Sequence, residues 1–182
     1  PAALLDGALA KASGGTLRLA DSHGTLWRGQ GMLATPDGRG QLHALRAIGW
    51  QLQASASPLG LVLELDEHGQ RQARVRLGPA GVSVEALAIE MPLAALAAGI
   101  NHPVARAGWR GRLQLASQGL GCDWQQTCEG ALRLRWLDAG LDIVPGRGLG
   151  SHDVLLKALG QRFEISVATL EGALRVSGNS MV

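Results

Sequence analysis

The chain contains no tyrosine, one phenylalanine, two cysteines and two lysines against 15 arginines. With a single phenylalanine, no tyrosine and a formal net charge of only +2, it does not match the aromatic platforms and clustered cations of a nucleic-acid surface. No nucleic acid is expected as a partner. A long hydrophobic run is also missing. The most apolar stretch, Ala86 to Ile100, is broken by Glu90 and Pro92 and falls short of the roughly 20 residues a spanning helix needs. No membrane helix is therefore expected within these residues. The chain starts at Pro1 without a methionine, which leads to the expectation that a signal or anchor segment precedes it in the natural protein.

What is present points to a folded β-protein. Hydrophobic residues are 46% and charged residues 18% of 182, too apolar for a disordered chain and enough for one domain or at most two small ones. The core must come from Leu, Ala, Val and five tryptophans. From Thr16 onward the apolar period is two, as in strands with one buried face. Leu61, Leu63 and Leu65 alternate with Val62, Glu64 and Asp66, and Ala73, Val75 and Leu77 alternate with Arg74 and Arg76. Between these runs Glu67-His68-Gly69-Gln70 reads as a hairpin turn. Similar alternation at Trp50/Leu52, Leu113/Leu115, Leu132/Leu134/Trp136 and Phe163/Ile165/Val167 predicts about ten mainly antiparallel strands. A curved sheet, a sandwich or an open barrel would each satisfy the pattern.

Two stretches depart from it. Leu4, Leu5 and Ala8 have helical spacing ahead of Ser13-Gly14-Gly15, which predicts a short N-terminal helix. "MPLAALAAGI" places Pro92 at a first helical position and Gly99 at an end, which predicts a short crossover helix at the midpoint. A boundary near Ala97 to Ala107 could divide the domain into lobes 1–100 and 101–182. Glycine-led segments recur at Gly15, Gly24, Gly111, Gly130 and Gly172; turn chemistry explains them, with a duplicated β-unit as the alternative.

Site chemistry is thin. "GRGLGS", Gly146 to Ser151, lacks a surrounding βαβ unit and is not read as a phosphate loop. Ser151, His152 and Asp153 are triad residue types, yet neighbours on a strand point to opposite faces. His23, His43, His68 and His102 lie near turns or strand ends, without carboxylates at ligand spacing, and are read as solvated. No catalytic residue, metal site or cofactor is expected, so the protein is not read as an enzyme.

"GTLWRGQGMLA", then Ile48-Gly49-Trp50-Gln51-Leu52 with Pro58-Leu59-Gly60, then "GWRGRLQLAS", "CEGALRLRWLDAGLDI", "PGRGLGSHDVLLKALG" and "LEGALRVSGN" resemble type II secretion system protein N over about Thr16 to Val182. The resemblance implies a periplasmic β-rich domain behind an N-terminal inner-membrane helix in a Gram-negative bacterium, without catalytic residues. It implies a non-enzymatic accessory component whose partners are the secretin, the inner-membrane platform or a second copy. The alternative is an apolar-ligand or lipid-binding β-domain of the envelope, suggested by leucine-rich alternation and few rings to plug a wide interior.

The same context bears on Cys122 and Cys128. Two cysteines are too few for structural zinc, and five intervening residues do not make a C-x-x-C redox centre. In an oxidising compartment the expected state is a disulfide closing a hairpin loop. If the two cysteines face each other directly, a regular ladder sets Leu113 and Leu115 on one face with Leu137 and Arg135, so a bulge at Gly119, Gly121 or Gly130 is predicted to shift the register by one. Arg74 and Arg76, Arg110 and Arg112, and Arg133 and Arg135 should project in rows from the outer face, either solvated or against anionic lipid or an acidic partner. Trp124, at the loop's tip, is either folded onto core or an interface anchor.

Overall fold

The computed structural model describes residues 2–37, 39–98, 107–117, 119–143, 148–172 and 177–181. Strand accounts for 72% of it. The order is α1 (Ala3–Ala12), β1 (Arg18–Gly24), β2 (Arg28–Pro36), β3 (Leu42–Ala56), β4 (Leu59–Glu67), β5 (Gln70–Gly78), β6 (Gly81–Pro92), α2 (Leu93–Ala98), β7 (Trp109–Ser117), β8 (Leu120–Asp123), β9 (Cys128–Leu141), β10 (Gly148–Gly160), β11 (Arg162–Glu171) and β12 (Ser177–Met181). The hairpin expected at Glu67 to Gln70 forms, with His68 and Gly69 both at positive φ (51° and 78°), as a two-residue turn between right-twisted strands requires. Gly99 and His102, where the crossover helix was expected to end and a solvated histidine to lie, fall outside the described residues.

All twelve strands belong to one antiparallel sheet, ordered β1 to β7 and then β9 to β12, with β8 between β6 and β9. The sheet passes from β6 to β7 without a break, across the proposed lobe boundary. No pairing joins β1 to β12 among the described residues, so the path has two edges. The sheet is curved, because α2 packs on both β2/β3 and β6/β7, pairs of strands separated by two others. There the Thr35 hydroxyl, itself buried, donates to the Ala95 carbonyl at 3.4 Å.

Cross-strand partners share a face, and one row can be followed across the sheet: Trp50, Leu65, Ala73, Leu87, Ser117, Leu132, Leu156 and Ile165. This is the inner face. α1 lies against its first strands, where Ala2, Leu19 and Trp50 form a buried cluster with Leu5, Leu9, Ile48, Leu63 and Leu65 around it. The Trp50 indole, 3% exposed, crosses Gly29; a Cβ there would stand 2.4 Å from the ring, so only glycine lets the indole lie flat on β2. Asp6 of α1 accepts from Arg18 Nε and Nη2 (2.9 and 2.6 Å) and from the Leu19 backbone N–H at 2.8 Å. The helix is thereby tied to the outer strand, whose edge N–H at Leu19 is taken. Hydrogen bonding by Arg18 brings the Asp6 carboxyl down to about 2.

The predicted register shift occurs. Cys122 faces Cys128 and Gly121 faces Glu129, while Ser117 faces Leu132, Leu115 faces Leu134 and Leu113 faces Trp136. One extra residue lies on the β7–β8 side, where Gly119 has φ +79°. Opposite it Gly130 (φ +113°) comes so close to the Gly119 carbonyl that a Cβ would sit 2.3 Å away. The leucines share the inner face as a result, and Arg133 and Arg135 face outward.

Candidate functional site

Five hairpin turns lie at one end of the sheet: β1–β2, β3–β4, β5–β6, β8–β9 and β10–β11. At this end large apolar side chains stand in solvent: Trp27 (54% exposed), Leu59 (67%), Trp124 (59%) and Leu159 (59%), with Leu77 and Val82 just inside. Leu61, Leu77, Val82 and Cys122 are successive partners in one row of the inner face. Alternation alone treats such leucines as core. Their only distinguishing mark in the sequence is adjacency to Pro58, Pro79 and Gly160, which end strands and leave the last apolar residue without a neighbour to cover it.

The loop between β8 and β9 is the most constrained of these tips. Cys122 and Cys128 stand at disulfide distance, with sulfurs 2.06 Å apart and Cα atoms 4.0 Å apart. Asp123 Oδ1 accepts from the backbone N–H of Gln125 (2.9 Å) and Thr127 (2.7 Å), and the Asp123 N–H donates to the Thr127 carbonyl at 2.9 Å. An aspartate side chain replacing the missing backbone partners in this way fixes a short loop. Trp124 is not folded onto core. Its Nε1–H donates to the Pro79 carbonyl at 2.8 Å, which pins the ring over the β5–β6 turn while leaving its face in solvent. Beside it lies an apolar-walled hollow of about 400 Å³, bordered by Pro58, Leu59, Val82 and Cys122.

The outer arginines project as expected but are interleaved with carboxylates. Arg74 and Arg76 both reach Glu85 (2.7 and 2.6 Å), and Arg74 also reaches Glu64 at 3.0 Å. Glu85 is the residue at which β6 carries one more than β5, so it meets both guanidinium groups, and hydrogen bonding by Arg76 lowers its pKa. Arg112 bridges Glu90 and Asp138 (3.0 and 3.2 Å), Arg110 pairs with Asp142 at 3.0 Å, and Arg133 and Arg135 share Asp153 (3.5 and 3.3 Å). The face is a mixed-charge ladder, in place of rows of unneutralised cations. Arginines outnumber their carboxylates in two places: Arg133 and Arg135 share Asp153, and Arg71, Arg74 and Arg76 share Glu64 and Glu85.

Ser151, His152 and Asp153 diverge as strand geometry requires. Asp153 faces out to the arginines, whereas His152 is 7% exposed on the inner face against Trp136, ring centroids 5.9 Å apart, with Nδ1 3.4 Å from Thr169 Oγ1. His23, His43 and His68 are exposed. A second hollow, about 480 Å³, brings Asp21, His23, Asp66 and His68 to its border, but among the described residues no three His, Cys, Asp or Glu are grouped to hold a metal ion. Gly146 and Arg147 of the glycine-rich segment lie outside the described residues; Gly148 to Ser151 are part of β10.

A family model for type II secretion system protein N matches residues 15–182. The chain belongs to the type II secretion system protein N family. It is thus a component of the type II secretion machinery. No curated protein and no solved structure matches it significantly. The described residues of this family member present a tip whose cysteines stand at disulfide distance, an apolar end and a charged outer ladder. No helix among the described residues is long and apolar enough to cross a membrane.

Proposed function

We propose that this protein N domain is a non-enzymatic accessory or assembly subunit, working as one unit in the periplasm and binding other secretion subunits through its hairpin-tip end. The observation that carries the reading is the exposed indole of Trp124 on a loop held by Asp123 and by the Cys122–Cys128 pair. A loop already ordered loses little entropy on docking, and tryptophan is over-represented among residues that dominate interfaces. Leu59 and the hollow beside it extend the same surface. Arg110, Arg112, Arg133 and Arg135 supply a second, weaker contact, since an acidic partner must compete with carboxylates already present. The reading includes an inner-membrane anchor ahead of residue 1 and either the secretin, the inner-membrane platform or a second copy as the partner. It requires no cofactor.

The test is a photo-crosslinking residue at position 124 in the assembled machine within the native envelope. A specific adduct with a secretion subunit, lost on Leu59→Ser, is the expected result. Secretion that depends on the domain, with no protein adduct from positions 124, 59 or 159, would contradict the proposal.

A further inference from the structure

The two edges of the sheet are built differently. At β1 the edge is closed in three ways. α1 packs along the strand, Asp6 takes the Leu19 N–H at 2.8 Å, and Asp21, at φ +47°, lies in a break of register between Ala20 and His23. Helix cover, an occupied donor and a bulge are devices that stop a sheet from adding a strand. At β12 none of the three is present among the described residues. Ser177 to Met181 pair with Ala168 to Glu164 without a shift and carry neither charge nor proline. The main contacts of both helices are with other strands.

We infer that the open edge of β12 receives an extended segment of a partner protein, which joins the sheet as a further antiparallel or parallel strand. The inference is independent of the contacts proposed for the hairpin tips. Backbone chemistry selects the class of occupant. Each residue of an antiparallel strand turns its N–H and C=O to one side only, so alternate residues of β12 present both groups away from β11. A helix has spent the same groups on itself and a lipid tail has none, whereas an extended chain meets them pair for pair.

The side chains beside the edge define which segment fits. By register Gly178 and Ser180 stand on the inner face next to Val167 and Ile165, and both are exposed. Nothing lies within 4 Å of the point where a Cβ on Gly178 would be. An added strand sets every second side chain on this face, where a leucine or an aromatic ring reaches over Gly178 toward partly exposed Val167. The segment is therefore apolar at alternate positions. A second copy fits less well, since β12 against β12 would join only five residues a side, well short of the roughly 20–30 of a standard interface.

Fluorescence anisotropy of a labelled peptide of alternating threonine and valine, solubilised by a short ethylene glycol tail, tests the assignment. Saturable binding is expected. N-methylation at alternate residues of the peptide should weaken binding about tenfold in one register and leave it unchanged in the other, because only one set of N–H groups faces the protein. Gly178→Lys, which sets a charge on the edge in space that the structure leaves open, should weaken the unmethylated peptide about tenfold at an unchanged melting temperature. Ser180→Lys serves if that variant does not fold. Absence of saturable binding, equal binding by the two methylated peptides, or unchanged binding to both lysine variants would overturn the inference. So would a dimer that Gly178→Lys dissociates, which would assign the edge to a second copy of the chain.

Discussion

Trp50 and Leu134 are both large apolar residues on the inner face, in rows that run across the same sheet, yet their surroundings differ. Trp50 lies under α1 and donates through Nε1 to the Thr25 carbonyl at 3.1 Å. Leu134, between Leu115 and Val154, is flanked by strands of the same layer, and among the described residues the main contacts of both helices are with other strands. The first environment is a core and the second is a surface that resembles a core only in composition. A single curved layer can make both from one alternating pattern, because alternation specifies which face is apolar and leaves open what covers that face.

The largest expected effect lies on the covered side. Trp50→Ala should cost about 3–5 kcal/mol, the range for removing a buried ring, read as a fall in the urea midpoint. Next comes the staple. Replacing Cys122 and Cys128 by serine should cost about 2 kcal/mol if the pair is oxidised, since it would release a short loop in the unfolded chain; the same loss should follow reduction of the unaltered protein.

Asp6→Ala should cost about 1–2 kcal/mol by removing charge-assisted hydrogen bonds at the helix–strand junction. Its pH dependence has a defined sign. The folded carboxyl titrates at about 2 against an ordinary 3.8, so between these values the unfolded chain binds more protons. The contribution is complete above pH 4 and disappears as the pH falls toward 2. Glu67 and Glu85, lowered by Arg46 and Arg76, act in the same direction. Acid-unfolding curves of Asp6→Asn should therefore be shallower over that interval than those of the unaltered protein.

The smallest effect on stability is expected at the tip. Trp124→Ala should move the midpoint by no more than about 0.5 kcal/mol, as for an exposed residue, while abolishing crosslinks to partner subunits. A loss of several kcal/mol would mean that the indole is core after all and would remove the distinction between the tip and the region under α1.

Much of this architecture is legible in the residues. Period-two alternation gives the strands and their inward leucines, His68-Gly69 gives a tight hairpin, and the opposition between Cys122–Cys128 and the leucine set requires a bulge, which Gly119 supplies. Twelve strands form where about ten are read, since short segments such as Leu120–Asp123 are too brief to show a period. Residues that act across distance are less visible. Nothing near Asp6 announces Arg18 as its partner, and His152 reads as one member of an adjacent triplet before its burial against Trp136 is seen. Arg133 and Arg135 read as free cations because Asp153 lies on another strand, and an exposed Leu59 carries the same letter as a buried leucine.

The distinction between these two parts of the inner wall can be measured most directly by urea unfolding of Leu63→Ser beside Leu134→Ser. The account predicts a loss of about 3 kcal/mol or more for Leu63, packed against the Trp50 cluster, and about 1–2 kcal/mol for Leu134, which is partly exposed as Leu63 is but lies outside that cluster. Equal losses at the two positions would contradict it, since the second wall would then be core rather than an open surface.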